Sequence, residues 1–286
     1  MKLSPNVVCY LQVAPLAVVL VVFFGIPLAT VGVVSFFDYA NYQTVPAFIF
    51  LNYAELFESN LIFKLYSTMI KFALITWVLT LVIGFTVSYF LVFHVRSLLW
   101  KIALFLVCAV PFWTSNIIRM ISWIPVLGLN GLVNKALLAL GFIDTPLEFL
   151  LFSDFSVIIA YVHLFTLFMV VTLFNSMARI DPAVLEAAVD AGASRWQVIT
   201  QVVIPLSRTG IALGSIFVLT LVMGDFFVVK IMSGGQSSSA VYAMWNHIAM
   251  LQYPSAAASA VVLLIVVVLM VAAILRVVDV RKELSG

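Results

Sequence analysis

Apolar residues run along this chain in six long blocks, at 10–36, 67–93, 98–122, 154–177, 208–231 and 255–278. A helix needs about 20 consecutive apolar residues to cross a bilayer, so the pattern predicts six transmembrane helices joined by segments 37–66, 94–97, 123–153, 178–207 and 232–254. The longest run without near-continuous apolar character is 181–205, and it separates two of the blocks. Asp181 there suits an N-cap and Pro182 a first helical position. A helix can run to Ala191 and stop at Gly192, which tolerates a left-handed cap. Ser194, followed three residues later by Gln197, makes a capping box that opens a second helix. Pro205 ends it or leads into the next span. The pattern predicts a helix–glycine–helix loop, about 178–207, at the membrane face, where a soluble partner could push on it.

Composition fixes the class. The 286-residue chain is 65% hydrophobic and 9% charged, against about 25% charged in soluble domains, so it reads as an all-α, polytopic membrane helix bundle. Six spans fit one bundle, and residues 1–286 are expected to form a single transmembrane domain. A net charge of +2 with no acidic or basic block gives no support for nucleic-acid binding. Cys9 and Cys108 lie in or beside apolar segments, have no metal-ligand spacing, and are expected to pack as small hydrophobes rather than pair. The run from Val7 to Phe37 exceeds the 7–15 residues or so of a signal-peptide core, so it is expected to stay as the first span.

Lysines and arginines set the orientation. With the N-terminus inside, Lys2, Arg96, Lys101, Arg179, Arg195, Arg208, Arg276, Arg281 and Lys282 are cytoplasmic, and Lys64, Lys71, Arg119, Lys135 and Lys230 are outside. This nine-to-five split of the 14 basic residues favours both termini in the cytoplasm and puts 181–205 there too. Outside, Phe36, Tyr39, Tyr42 and Tyr53 accompany Asp38, Glu55 and Glu58, as an interfacial belt or a docking surface for an extracytoplasmic protein. Gly128–Gly131 signals a turn before Leu132–Leu140, a stretch too short to span and expected to lie along the outer face. Residues 233–239 read as a flexible loop, and Gly210 and Gly214 as a close-packing stripe.

No phosphate-binding loop, nucleophile elbow or zincin motif occurs, so neither a catalytic residue nor a metal site is expected in this chain. Polar groups inside the spans are costly in lipid and usually face a bundle interior or water. Pro111 frees a carbonyl in the third span, and Thr114, Ser115 and Asn116 could re-satisfy backbone groups or meet a ligand. Asn116, Arg119, His163 and Asp225 fall at similar depth in the outer half. Two readings stay open: Arg119 and Asp225 form a structural ion pair, or Asp225 lines a substrate path with Trp113, Asn116 and His163.

The 181–205 loop resembles the coupling motif of ABC importer permeases: Glu-Ala-Ala, three residues, Gly, nine residues, Ile, one residue, Leu-Pro. Glu186, Ala187, Ala188, Gly192 and Pro205 match in register, and Val202 and Ile204 replace the Ile and Leu. Pro111–Ser115, Arg119, Trp123, Leu127-Gly128 and Asn130-Gly131, with Gly224-Asp225-Phe226, Gly234-Gly235 and Trp245, resemble the spermidine/putrescine permease sub-family. That resemblance implies a permease subunit of the bacterial inner membrane carrying half of a pathway for a polyamine or related amine. It implies partner ATPase subunits that bind ATP and Mg, a second and different permease, and an extracytoplasmic substrate-binding protein. Glu186, Ala187, Ala188 and Gly192 would form the coupling helix against one ATPase. Relatives for an opine, an amino-acid derivative or ferric iron are the alternative, as is an ion-coupled secondary transporter, for which Asp225 is the one candidate carboxylate.

Overall fold

The computed structural model describes residues 5–40 and 42–277, with side chains from Tyr10 to Arg276. Lys2, Arg281 and Lys282, counted above for orientation, and the side chain of Cys9 lie outside the described residues. The protein is a multi-pass helical membrane protein. Among the described residues, five helices are long and apolar enough to cross a membrane: Tyr10–Val34, Asn60–His94, Asn116–Ala139, Asp154–Met177 and Tyr253–Arg276. A sixth forms if Arg195–Leu206 and Arg208–Met223, bent by 69° at Ser207, are taken together.

Two expected spans are interrupted, each for a local reason. The block at 98–122 is not one helix. Leu98–Ala109 tightens into a 3₁₀ turn at Val110–Trp113, where Pro111 cannot donate, and the chain reopens at Thr114. Ser115 then caps a new helix, accepting from the Ile117 amide at 3.3 Å. After the turn at Gly128–Gly131, Leu132–Ala139 forms a separate short helix, and by length and composition Asn116–Ala139 together make one candidate span. The block at 208–231 likewise ends at Met223, and a short helix restarts at Phe227.

By contacts, the chain divides into two compact units, Met1–Phe63 with Ala243–Val266, and Lys64–Tyr242 with Val267–Gly286. In the first, Phe36 stacks on Phe48, both meet Phe50 edge-on, and Tyr53 packs tilted against Phe36. Strands Asp38–Ala40 and Gln43–Val45 pair antiparallel, Tyr39 opposite Thr44. The Asn52 amide donates to the carbonyls of Ser35 (3.1 Å) and Phe37 (2.8 Å) and so ties this segment together.

The second unit is built around Asp154–Met177. Within the most apolar window of that helix 44% is buried, whereas Tyr10–Val34 buries none of its own. Its most extensive partner is Arg208–Met223. The approach is possible because Gly210 and Gly214 face it: a Cβ at Gly210 would lie 2.5 Å from Ser176 Cβ and 2.6 Å from the Thr172 carbonyl oxygen. Without a hydrophobic drive between helices in lipid, such small-residue contact is what holds them. Trp77 from Asn60–Tyr89 donates to Ser215 Oγ at 2.7 Å, and Ser88 to the Val170 carbonyl at 3.0 Å. These three helices form the core that positions both sites below.

Candidate functional site

The two helix breaks face one cavity of about 260 Å³. Asn116 and Met120 line it from the first break, Leu164 and Phe165 from Asp154–Met177, and Asp225 and Phe227 from the second. At the first break the hydroxyls act on backbone: Thr114 Oγ1 donates to the Pro111 carbonyl at 2.7 Å, and Ser115 is the cap already described. At the second, Asp225 Oδ1 accepts from the Val228 amide at 2.8 Å and from the Tyr161 hydroxyl at 3.3 Å. Asp225, one residue ahead of the N-cap Phe226, thus satisfies an amide in the first turn of the short helix. Tyr161 is fully buried.

Arg119 is only 6% exposed. Its Nη2 donates to Asn116 Oδ1, and its guanidinium lies 4.6 Å from the centre of the Phe112 ring. Nε and Nη1 are buried and have no hydrogen-bond partner. No ion pair joins Arg119 to Asp225 among the described residues. Trp123 Nε1 donates to His163 Nδ1 at 3.0 Å, ring to ring edge-on. Accepting at Nδ1 places the proton of the neutral imidazole on Nε2. The structure thus brings Asn116 and Asp225 to the cavity, with Arg119 directly behind Asn116. It turns His163 to Trp123 and leaves Trp113 79% exposed. Tyr161 and Phe165 were missed from sequence. Their i, i+4 spacing in an apolar helix was the available signal.

The second candidate site is the 181–206 loop. Asp181 Oδ1 accepts from the Ala183 amide at 2.9 Å and opens helix Pro182–Asp190. Gly192 sits at φ +86°, with Ala193 N–H on the Ala188 carbonyl (3.0 Å) and Gly192 N–H on that of Val189 (2.9 Å). This paired arrangement is a Schellman stop. Ser194 and Gln197 exchange both capping-box bonds, at 2.8 and 3.3 Å. The second helix passes through a π-helical stretch, Val198–Val203, before the bend at Ser207. Glu186, Ala187 and Gly192 are exposed and Ala188 half-buried. Val184, Val189 and Trp196, the last 71% exposed, present apolar surface beside them.

No family model matches the chain. It is 37% identical over 186 residues to the spermidine/putrescine transport system permease protein PotB of Salmonella typhimurium, a match covering 65% of this chain and 63% of that protein. The aligned part is therefore less than two thirds of that relative's length. Against the PotB protein of Haemophilus influenzae the identity is 32% over 242 residues, 82% of either chain. In fold, the chain resembles a crystal structure of a bacterial ABC transporter involved in the import of the acidic polysaccharide alginate, with TM-score 0.75, 95% coverage of both chains and 17% identity. With a third of its residues shared across four fifths of its length, the chain belongs to the ABC transporter permease family that includes the spermidine/putrescine transport system permease proteins.

Proposed function

We propose that this chain forms half of the translocation pathway of an ATP-driven importer for a small amine of the polyamine class. The observation that carries the reading is Asp225, a carboxylate held at a helix break on an otherwise largely apolar, aromatic-lined cavity. An ammonium group meeting it there gains charge-assisted contact in a low-dielectric setting. Asn116 adds a polar contact across the cavity, and Arg119, His163 and Trp113 stand as further candidates along the path.

Separate ATPase subunits would bind ATP and Mg, a different permease would supply the other half of the path, and an extracytoplasmic binding protein would deliver solute. Glu186, Ala187, Ala188 and Gly192 would seat in a groove of one ATPase. The exposed Val184, Val189 and Trp196 favour this, because solvent-facing aromatic and aliphatic groups on a short helix are typical anchors of an interface. Both termini then lie in the cytoplasm of a bacterial inner membrane, in line with the lysine and arginine split.

The test is ATPase activity of the assembled complex, with its binding protein loaded in turn with putrescine, spermidine, amino-acid-derived amines, opines and ferric iron. Stimulation by amines is expected. Stimulation confined to another class would remove the amine assignment, and uptake that follows the proton gradient without ATP would remove the importer reading.

A further inference from the structure

We propose that a second cavity, at the loop end of the Asp154–Met177 and Arg208–Met223 helices, binds a small zwitterion, its ammonium on Asp181 and its carboxylate or phosphate on Arg179. This cavity measures about 560 Å³ and shares no lining residue with the one at Asp225. The site goes beyond the amine pathway and does not depend on it.

Its lining comes from three places. Asn175 and Ser176 belong to the last turn of Asp154–Met177. Arg179 and Asp181 belong to the joint that leads into helix Pro182–Asp190, and Leu206 and Leu213 lie on either side of the bend at Ser207. Asn175, Ser176 and Arg179 make no side-chain hydrogen bond among the described residues. Arg179 and Asp181 form no ion pair there either, although they are two residues apart. Asp181 caps the Ala183 amide with Oδ1, which leaves Oδ2 open to another donor. Earlier on the same helix the hydroxyls bond back to their own backbone, Thr166 to the Val162 carbonyl at 2.6 Å and Thr172 to that of Phe168 at 3.1 Å. The polar groups without such bonds therefore gather around one concavity.

The chemistry of the lining selects the ligand. A guanidinium presents a planar fork that matches a carboxylate or phosphate, and a carboxylate accepts from an ammonium. Arg179 and Asp181 are the only charged residues lining the cavity, so its formal charge sums to zero. A polyamine at Asp181 would be repelled by Arg179, and a bare anion at Arg179 by Asp181. A molecule that carries both charges satisfies each residue. Asn175 and Ser176 add neutral donors and acceptors beside them, and Leu206 and Leu213 offer apolar surface to a short stem. The volume falls in the range of about 300–1,000 Å³ usual for small-molecule sites. A free amino acid and the headgroup of phosphatidylethanolamine share this chemistry, and the headgroup is at hand where a membrane-length helix ends.

The experiment uses the assembled transporter, delipidated in detergent, and titrates it calorimetrically with glycine, 4-aminobutyrate and glycerophosphoethanolamine. Ethylamine, acetate and inorganic phosphate serve as half-ligands. In parallel, mass spectrometry counts the lipid retained from nanodiscs of phosphatidylethanolamine or of phosphatidylcholine, whose quaternary ammonium has no N–H to donate. A zwitterion should bind about tenfold or more tighter than either of its halves, since a second charge-assisted contact is made. Arg179→Gln and Asp181→Asn should each weaken it by about the same factor, and Arg179→Lys, which keeps the charge and loses the fork, should fall between. Asparagine is also a good N-cap, so Asp181→Asn keeps the helix start and decides alone if Arg179→Gln does not assemble. Tight binding of the soluble probes identifies a free zwitterion as occupant. Retention of phosphatidylethanolamine over phosphatidylcholine, lost in the variants, identifies the headgroup. No preference for a zwitterion in either arm, or binding that survives both substitutions, overturns the proposal.

Discussion

Gly210→Ala tests whether the Asp154–Met177 and Arg208–Met223 helices are held by close backbone approach. The added Cβ would meet the Thr172 carbonyl oxygen at 2.6 Å and Ser176 Cβ at 2.5 Å, against about 3.5–4.0 Å for non-bonded atoms at rest. The carbonyl belongs to a helix backbone and cannot turn aside, so the two helices must part by about 1 Å. A gap of that size forfeits a quarter to a half of each contact's attraction along the seam. Overpacking of this kind costs about 1–3 kcal/mol, and the better helix propensity of alanine returns about 1 kcal/mol of it. A net loss of up to about 2 kcal/mol should lower the melting temperature in detergent by up to a few degrees. Gly32→Ala is the control, since its added Cβ meets nothing within 4 Å, and it should hold or raise the melting temperature. If Gly210→Ala melts at or above wild type while Gly32→Ala behaves as expected, the glycine is not there for helix approach and the packing account is wrong.

Three further outcomes follow from single contacts. Gly192→Val places a β-branched residue at φ +86° with open space around it, so the strain is confined to the backbone at about 1–2 kcal/mol. Insertion and folding should persist while ATP-driven uptake falls, and uptake at the normal rate would rule out the coupling role. Asn134→Ala removes a buried amide that bonds Gly128 O (3.2 Å), Leu147 O (3.1 Å) and Leu147 N (2.8 Å). Leaving those groups unmet costs about 2–4 kcal/mol, read as faster proteolysis within 128–147, and an unchanged digestion pattern would count against it. Asp154→Asn breaks the 2.6 Å pair with Lys71, whose side chains are 53% and 37% exposed, so the pair itself contributes no more than about 1 kcal/mol and less in salt. Asp154 also accepts from Ser237, so Asp154→Ala, which removes that acceptor too, should make the 233–239 loop more sensitive to protease, and a loop no easier to cut would refute its role as an anchor.

The 181–206 loop was legible because each of its signals acts within a few residues. Asp181 meets an amide two residues on, Gly192 brings its own Schellman bonds, and Ser194 with Gln197 closes a box over three positions. The apolar blocks were legible in bulk for a different reason, since lipid leaves the backbone few choices. Their interruptions were half legible. Pro111 signalled the first, whereas Asp225 was read as a charge rather than as an acceptor for the Val228 amide, although that bond too spans only three residues. What spacing could not supply was partners on other helices. Tyr161 reaches Asp225 across 64 positions and Trp123 reaches His163 across 40, and periodicity within one helix says nothing about which face of another it meets.

The helix that receives the loop is also the one that ends at the cavity. Arg208–Met223 begins at the 69° bend beneath the loop and stops one residue short of Gly224-Asp225. Its 16 residues span about 24 Å, so a tilt of about 5° at the loop end would carry the far end by about 2 Å. That displacement is enough to break or make a hydrogen bond, whose useful range is a few tenths of an ångström. Because Gly210 and Gly214 leave no slack against Asp154–Met177, a push on the proposed coupling helix cannot be absorbed between these two helices. It must pass along them, and both line the cavity or its border: Leu164 and Phe165 on one, and Asp225 immediately beyond the other. The same tight packing that stabilises the core in lipid therefore supplies, in the proposed mechanism, the stiffness that lets ATP-driven motion at Gly192 act on the solute at Asp225.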